Sequence, residues 1–466
     1  MTEHILFLTG KLAEKQLRQI LANMEPEFSY TVLEMGIKVA ALMNADMIGR
    51  RLKDTHGATR IIIPGRCPGD LAALSTQLGV PVERGPEEVK DLPLYFGKKI
   101  KQSDLSQYKT KIFAEVVEAP FLSVAEILER AEYYRSNGAD VIDIGCQPGR
   151  PFPHLTESIQ ALKQAGYTVS LDSLESDDLI AGGKAGADYL LSLNSKSLWI
   201  ADEVASTPII IPDVHGDLDS VEDTIRQLQA KNRAFVVDPI LDPIHFGFSE
   251  SLARYNTFRE RHPEIEMMMG VGNLTELTHA DTSGINTLLL GICSELNINH
   301  ILATEVSPHA HRAIREADRA RRIMYAAAQH NGLPKHVADD LLTVHDINPF
   351  PYSREEIEAL AAEIKDPSYR IQISRDGLHV FNRDGLHTAQ DPFEFYPHLQ
   401  VASDGGHAFY LGVELARAEI AWQLGKRYAQ DQRLNWGCAV QAGETKIDLH
   451  DFKPIGTTQK KPDFSE

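Results

Sequence analysis

Between Lys111 and Ala328 one small pattern recurs, and it constrains the fold more than anything else in the chain. A short apolar run ends in an acid or an amide, and a stretch of helical period follows. The eight runs are Ile112–Val117, Asp140–Ile144, Thr168–Leu171, Tyr189–Ser192, Pro208–Ile211, Ala234–Val237, Glu266–Met269 and His300–Ala303. Short apolar runs separated by amphipathic segments predict parallel strands joined by helical crossovers. The predicted helices are Val124–Ser136, Leu155–Ala165, Leu179–Ala185, Val221–Ala230, Ser249–Arg261, Thr282–Leu296 and His309–His330; the link from Asn194 to Thr207 leaves little room for one. Eight strand–helix units in about 220 residues fit a (β/α)8 barrel. An open right-handed parallel sheet is the alternative topology.

A barrel of this kind keeps its chemistry at the carboxyl ends of its strands. Taken in order, those ends offer Glu115 and Glu118, Asp143, Asp172, Asn194, Asp213 and His215, Asp238 trailed by Asp242 and His245, Asn273, and Glu305. The second unit is the richest: in GADVIDIGCQPGRP (Gly138–Pro151) the acid Asp143 precedes Gly145 and a Pro/Gly loop that closes on Arg150. Carboxylates and amides around one mouth give paired acceptors and donors, which suit a flat heterocycle edged with N–H groups and a carbonyl. Structural roles compete with that reading. Asp143 could orient its loop, Asp172 and Asn194 could cap helices, and Asp238 before Pro239 could shape a turn. Asp213, His215, Asp238 and His245 could also gather a metal, although no single element carries a ligand spacing. No dinucleotide fingerprint is present, and no residue is assigned as a metal ligand.

The flanks read differently. Residues 1–100 alternate strand and helix: Ile5–Leu8, Leu12–Met24, Tyr30–Leu33, a short helix Ile37–Leu42, Arg60–Pro64 and Val80–Arg84. This predicts a small Rossmann-like α/β domain with a parallel sheet. Its loop Pro64–Asp70 is either a strand-to-helix turn or an anion site using Arg66. Lys101–Lys109 reads as a linker, and residues 110–330 as the barrel. After a connector at Leu333–Pro351, residues 350–456 predict a small α+β domain. It has a helix over Glu355–Ile364, a hairpin over Tyr369–Phe381 turning at Arg375-Asp376-Gly377, and a helix over Phe409–Leu424. Residues 457–466 read as a disordered tail.

The 466 residues carry a net charge of −19, which argues against nucleic acid or an anionic membrane as partner. The four cysteines, Cys67, Cys146, Cys293 and Cys438, form no CxxC pair, so neither a zinc site nor a thioredoxin motif is indicated. The amino terminus reads as a strand rather than a signal peptide, and no run approaches the roughly 20 apolar residues of a spanning helix. A cytoplasmic protein with reduced thiols is expected, assembling as a homo-oligomer or with a partner protein.

The motifs GADVIDIG…RP, SLDS, LLSLNS and VVDP resemble, in order and spacing, those of the pterin-binding barrels. That group comprises dihydropteroate synthase and the folate- or methanopterin-dependent methyltransferase domains. With IIIPGRCPGD, DLPLYFG and HAFYLGVELARAEIA, the whole chain resembles dihydropteroate synthase-related proteins of tetrahydromethanopterin-using organisms. The resemblance implies that Asp172, Asn194 and Asp238 hold the amide and amino edge of a pterin, with Asp143 in the strand-two motif. It implies that Arg150 handles a pyrophosphate, aided by Mg²⁺, and that Asn273 sits at the pterin nitrogen bearing a one-carbon unit. The implied activity is transfer of a pterin methyl group from its pyrophosphate to an arylamine in tetrahydromethanopterin biosynthesis. The alternatives are a pterin-dependent one-carbon methyltransferase component and a non-catalytic pterin-binding scaffold. The chain departs from the synthases in three loops. Cys146-Gln147-Pro148-Gly149 replaces Glu-Ser-Thr, Gly272-Asn273-Leu274-Thr275 replaces a Ser-Arg-Lys motif, and Ala303-Thr304-Glu305 replaces an Arg-x-His pair. Asp213 and His215 match the start of a cobalt-ligand motif, but Leu218 stands where its glycine would be, so no bound corrinoid is expected.

Overall fold

The structure, a computed structural model, describes residues 3–38, 40, 43–65, 67–86, 89–97, 103–335 and 337–440. The described chain falls into two compact units. One comprises Met1–Leu105 with Ala326–Val337; the other begins at Ser106 and resumes at Ala338.

The first unit holds a parallel sheet of β1 (His4–Thr9), β2 (Ser29–Glu34), β3 (Arg60–Ile63) and β4 (Val82–Arg84), in the order β2-β1-β3-β4. Helix Lys11–Met24 covers one face through Leu17, Leu21 and Met24. The predicted helix Ile37–Leu42 falls partly on Val39, Ala41 and Leu42, outside the described residues, as does Arg66 of the expected anion loop. The helix described nearby is Ala45–Arg51, which starts where the Asn44 side chain accepts from Met47 N–H at 2.8 Å.

The second unit is built on β5 (Lys111–Val116), β6 (Val141–Gly145), β7 (Thr168–Asp172), β8 (Tyr189–Leu193), β9 (Thr207–Ile210), β10 (Val236–Val237), β11 (Met268–Gly270) and β12 (His300–Ala303). All pairings are parallel, in the order β10-β9-β8-β7-β6-β5-β12-β11. A parallel bridge from Val237 to Met267, with Val237 N–H donating to Glu266 O at 2.9 Å, joins the two ends. The molecule therefore contains the (β/α)8 barrel, and the open-sheet alternative falls away.

Local sequence explains the elements between the strands. Ser123 and Glu126 form a reciprocal capping box that starts helix Val124–Ser136, and Ile127, Ala131 and Tyr134 face the strands. The segment read as one helix from His309 instead makes a 3₁₀ turn at Pro308–Ala310 and begins its helix at Ala313, ending at Gln329. A single large apolar cluster fills the space between strands and helices, while Phe113, Val141, Leu191, Ile209, Val236 and Met268 fill the barrel interior.

Beyond the barrel, the predicted hairpin becomes a three-stranded antiparallel meander of β13 (Arg370–Ser374), β14 (Gly377–Asn382) and β15 (Gly385–Ala389). Both turns are two-residue links, because Ser374 pairs with Gly377 and Asn382 pairs with Gly385. Helix Gly405–Leu424 packs on this sheet through Leu411, Leu415, Ala418 and Ala421. The expected tail, with everything from residue 441, lies outside the described residues.

Candidate functional site

Three carboxyl side chains meet inside the barrel mouth. Register dictates the meeting. Glu115 on β5 pairs with Asp143 on β6, which pairs with Ser170 on β7. In-register residues of parallel strands point to the same face, and strands lie about 4.8 Å apart, so these three form one interior layer. Phe113 and Val141 stand two residues earlier on β5 and β6 and form the apolar layer beneath. Asp172, two residues beyond Ser170, returns to the same face beside Gly145. One oxygen each from Glu115, Asp143 and Asp172 lies within 4.8 Å of the others.

Gly145 makes room for this arrangement. A Cβ there would stand 2.6 Å from Glu115 Oε1 and 3.3 Å from Val116 O, so any side chain would collide with the carboxylate.

Asp143 is fully buried. Its Oδ1 accepts a short hydrogen bond from Ser170 Oγ, and its Oδ2 has no partner. Among the described residues no lysine, arginine or histidine pairs with Glu115, Asp143 or Asp172. Burial disfavours the charged form, and like charges disfavour it further. Burial and then the Asp172 charge push Glu115 up to about 7. Burial lifts Asp172 to about 6. Asp143 is raised well above the usual range by burial, then by Asp172 and Glu115.

Asp238, immediately after β10, is anchored differently. Its Oδ1 accepts from Ile240 N–H at 2.7 Å and from Tyr255 O–H at 2.8 Å. Burial still raises it to about 6, against those two hydrogen bonds and the nearby Arg254. The loop after Asp238 carries Ile240 at φ 71°, a left-handed conformation a β-branched residue rarely adopts. Arg254 holds that loop: its guanidinium donates to Pro239 O at 2.6 Å, to Ile240 O, and to Asp242 Oδ2 at 2.8 Å. Asn273, in the helical turn Gly272–Thr275 after β11, donates from Nδ2 to Leu241 O at 2.7 Å. A carbonyl can only accept, so the side-chain nitrogen is the atom facing it and Oδ1 is left for other partners.

Other expected residues have contacts of their own within the chain. Asn194 follows β8 and uses Oδ1 to accept from Lys196 N–H at 3.0 Å. Asp213 accepts from Ser195 N–H at 2.9 Å, and His215 pairs with Asp242 at 2.9 Å. The grouping of Asp213, His215, Asp238 and His245 as a metal site is not what the fold gathers; the group it does gather is Glu115, Asp143 and Asp172. Arg150 is exposed, its guanidinium 4.7 Å over the ring of Phe121. Burial raises Glu305 to about 7, and its carboxylate accepts from Ile314 N–H at 3.1 Å. Cys146 is half-buried, and burial, then the charge of Asp178, pushes its thiol up to about 12, far from a thiolate nucleophile.

Three residues of the site carry no assignment from sequence. Glu115 stands among the strand ends without a role, and its pairing partner is not knowable before the register. Ser170 does carry a signal: the alternation Ser170-Leu171-Asp172 puts it on the same face as the acid. Tyr255 carries none.

Comparison with known proteins yields three findings. A family of unknown function (DUF6513) matches residues 3–87. An uncharacterised protein of Methanocaldococcus jannaschii is 25% identical over 520 aligned positions, covering 92% of this chain and 98% of its own. Among solved structures, dihydropteroate synthase of Yersinia pestis with a pterine-sulfa conjugate aligns with a TM-score of 0.38 at 16% identity, covering 48% of this chain and 96% of that one. The Thermus thermophilus enzyme in complex with 6HMPPP gives 0.36 at 18%, covering 48% and 95%. That of Coxiella burnetii in complex with pteroic acid gives 0.38 at 15%, covering 48% and 93%.

Proposed function

We propose that this protein binds a pterin in the barrel mouth and acts as a dihydropteroate synthase-like transferase. The substrate would be a pterin methyl pyrophosphate and the acceptor an arylamine, in tetrahydromethanopterin biosynthesis. One observation carries the ligand class. Acids at the ends of β7 and β10, Asp172 and Asp238, stand at the mouth, and among the described residues no lysine, arginine or histidine side chain pairs with Asp172. Buried acceptors of this kind call for a ligand rich in N–H donors. The amino and amide edge of a pterin supplies them. Asp172 and Asp238 would take that edge, Asn194 would flank it, and Asp143 would support it from the layer beneath.

The reaction asks for more than a ligand site. Displacing pyrophosphate requires positive charge at the departing group. In the matched loops Arg150 offers it, and its exposure leaves it free to swing from Phe121 to an incoming phosphate. Mg²⁺ would supply further charge there. A second reading is favoured by Asn273. One of its two side-chain N–H groups is held by Leu241 O, which orients the amide, and its Oδ1 suits a protonated ring nitrogen, as a one-carbon transfer from a reduced pterin would require. A scaffold that only carries the pterin is the third.

Calorimetric titration with a dihydropterin, then with its methyl pyrophosphate ester, with and without Mg²⁺, separates these. Tighter binding of the ester through Mg²⁺ supports the synthase reading. Equal binding without a Mg²⁺ effect moves the chemistry to Asn273. Absence of binding by both removes the pterin reading.

A further inference from the structure

We propose that Glu115 and Asp143 form a proton-exchanging pair in the barrel mouth, and that a ligand offering N–H donors beside Asp172 drives a proton off it. Geometry points there first. The two residues are direct lateral neighbours on adjacent parallel strands and point into the same interior layer. With Asp172 they bring three carboxyl oxygens within 4.8 Å. Two further observations make this more than a cluster of acids. Asp143 is fully buried, yet Oδ2 has no hydrogen-bond partner, so the site is built to receive one. Position 145 is glycine, and the Glu115 carboxylate takes the space a Cβ would need.

Three charges so close, out of water and without a cation, cannot coexist. Among the described residues, the neighbouring strands bring no cation to this layer. β6 brings Asp143, β7 brings Ser170 and Asp172, and the inward-facing residue of β12 in register with β5 is Leu302, beside Phe113 in the layer beneath. Of the other charged groups at this end, Asp238 adds a negative charge that interacts with that of Asp172 and is held by Ile240 N–H and Tyr255 O–H, Glu305 accepts from Ile314 N–H, and the Arg150 guanidinium lies over Phe121. Protons are therefore the available counter-charge, as in other carboxyl pairs that share one. The upward displacement of Glu115 to about 7 sets the exchange near neutrality.

The step balances simply. An N–H donor at the mouth favours the ionised carboxyl. One carboxyl O–H bond breaks, the proton passes to buffer, and the electron pair stays on the oxygen as acceptor for the ligand. The pterin class of ligand is taken from the proposed function; the proton pair itself is not.

The tests keep these apart. In the ligand-free full-length protein, infrared difference spectra between about pH 5.5 and 8.5 should contain a protonated-carboxyl band titrating near neutrality. Glu115→Gln should remove part of it and Asp143→Asn should shift the remainder. Absence of any such difference between wild type and both variants overturns the pair. So does stoichiometric Mn²⁺ uptake that both substitutions abolish, because a cation would then be the counter-charge. Should a variant fail to fold, the wild type suffices. Titration with dihydropterin at about pH 7, in buffers of different ionisation heat, should release about one proton per ligand. Heat independent of buffer, with binding present, overturns the proposal and leaves the pterin reading intact. If dihydropterin does not bind, the pterin reading fails and the infrared band alone decides the pair.

Discussion

Asp140 and Asp143 lie in one motif, Asp140 just before β6 and Asp143 within it on the side of the mouth, and the barrel treats them oppositely. At the amino-terminal rim Asp140 accepts from Tyr108 O–H at 2.6 Å and Ile112 N–H at 2.8 Å, and pairs with the buried Arg321. Its rim neighbours are equally well matched. Asp188 takes Lys163 at 2.6 Å and Val169 N–H at 2.8 Å, and Glu266 takes His300 at 2.8 Å. At the carboxyl-terminal rim Asp143 has one hydroxyl, and Glu115 and Asp172 have no cation among the described residues. Acids that hold a fold together are given partners by the chain. Acids left unsatisfied at the opposite rim await a partner from outside.

The sharpest way to break this contrast is at the amino-terminal rim. Arg321→Met removes the cation from Asp140, which keeps only Tyr108 O–H and Ile112 N–H, and leaves Asp318 with Arg322; it should cost about 3–5 kcal/mol of stability, read by urea unfolding. Ligand affinity of the molecules that remain folded should hold. A large loss of affinity at unchanged stability would erase the distinction between the rims. At the other rim the effects should exchange places. Asp172→Ala and Asp238→Ala should each weaken pterin binding by about 1–3 kcal/mol, measured by calorimetry, with a cooperative unfolding transition retained. Unchanged affinity in both variants would remove the proposed site.

A pH titration of stability sharpens the contrast further. Unfolded carboxyls release their protons near pH 4. The folded chain keeps them up to about 6 at Asp172 and Asp238 and about 7 at Glu115. Between those limits the folded state binds more protons, so the stability these groups contribute falls as pH rises through them. The slope is at most about 1.4 kcal/mol per pH unit for each proton held. Glu115→Gln should flatten its upper part; an identical curve in the variant would mean that Glu115 does not titrate there. The smallest effect is expected at Arg150. Arg150→Ala should leave stability within about 0.5 kcal/mol and leave bare pterin binding unchanged, while weakening the pyrophosphate ester. Equal losses for both ligands would reject its role at the leaving group.

Much of the barrel was legible because its strands are short apolar runs bounded by polar residues, a signal that needs no tertiary context. Helix Val124–Ser136 agrees with expectation to the residue because Ser123 and Glu126 mark its start. The missed strand Gly385–Ala389 had a cue in the repeated Arg-Asp-Gly-Leu-His, which stands at both turns of the meander. The site was less legible. Asp140 and Asp143 look alike as letters; the partners that distinguish them, Tyr108, Ile112 and Arg321 for the one and Ser170 for the other, lie far from them along the chain. Glu115 gains meaning only from register, and the anchoring of Asp238 depends on a tyrosine in the following helix.

The close approach of Glu115 to Gly145 makes these two positions a coupled pair rather than two separate tolerances. Gly145→Ala should be harmful alone, because the methyl group and Glu115 Oε1 would compete for one space. Shortening the acid vacates that space, so Gly145→Ala with Glu115→Asp should be milder than the two single losses added together. The excess, read as a double-mutant interaction, would measure how firmly the backbone of β6 reserves room for a side chain that belongs to β5.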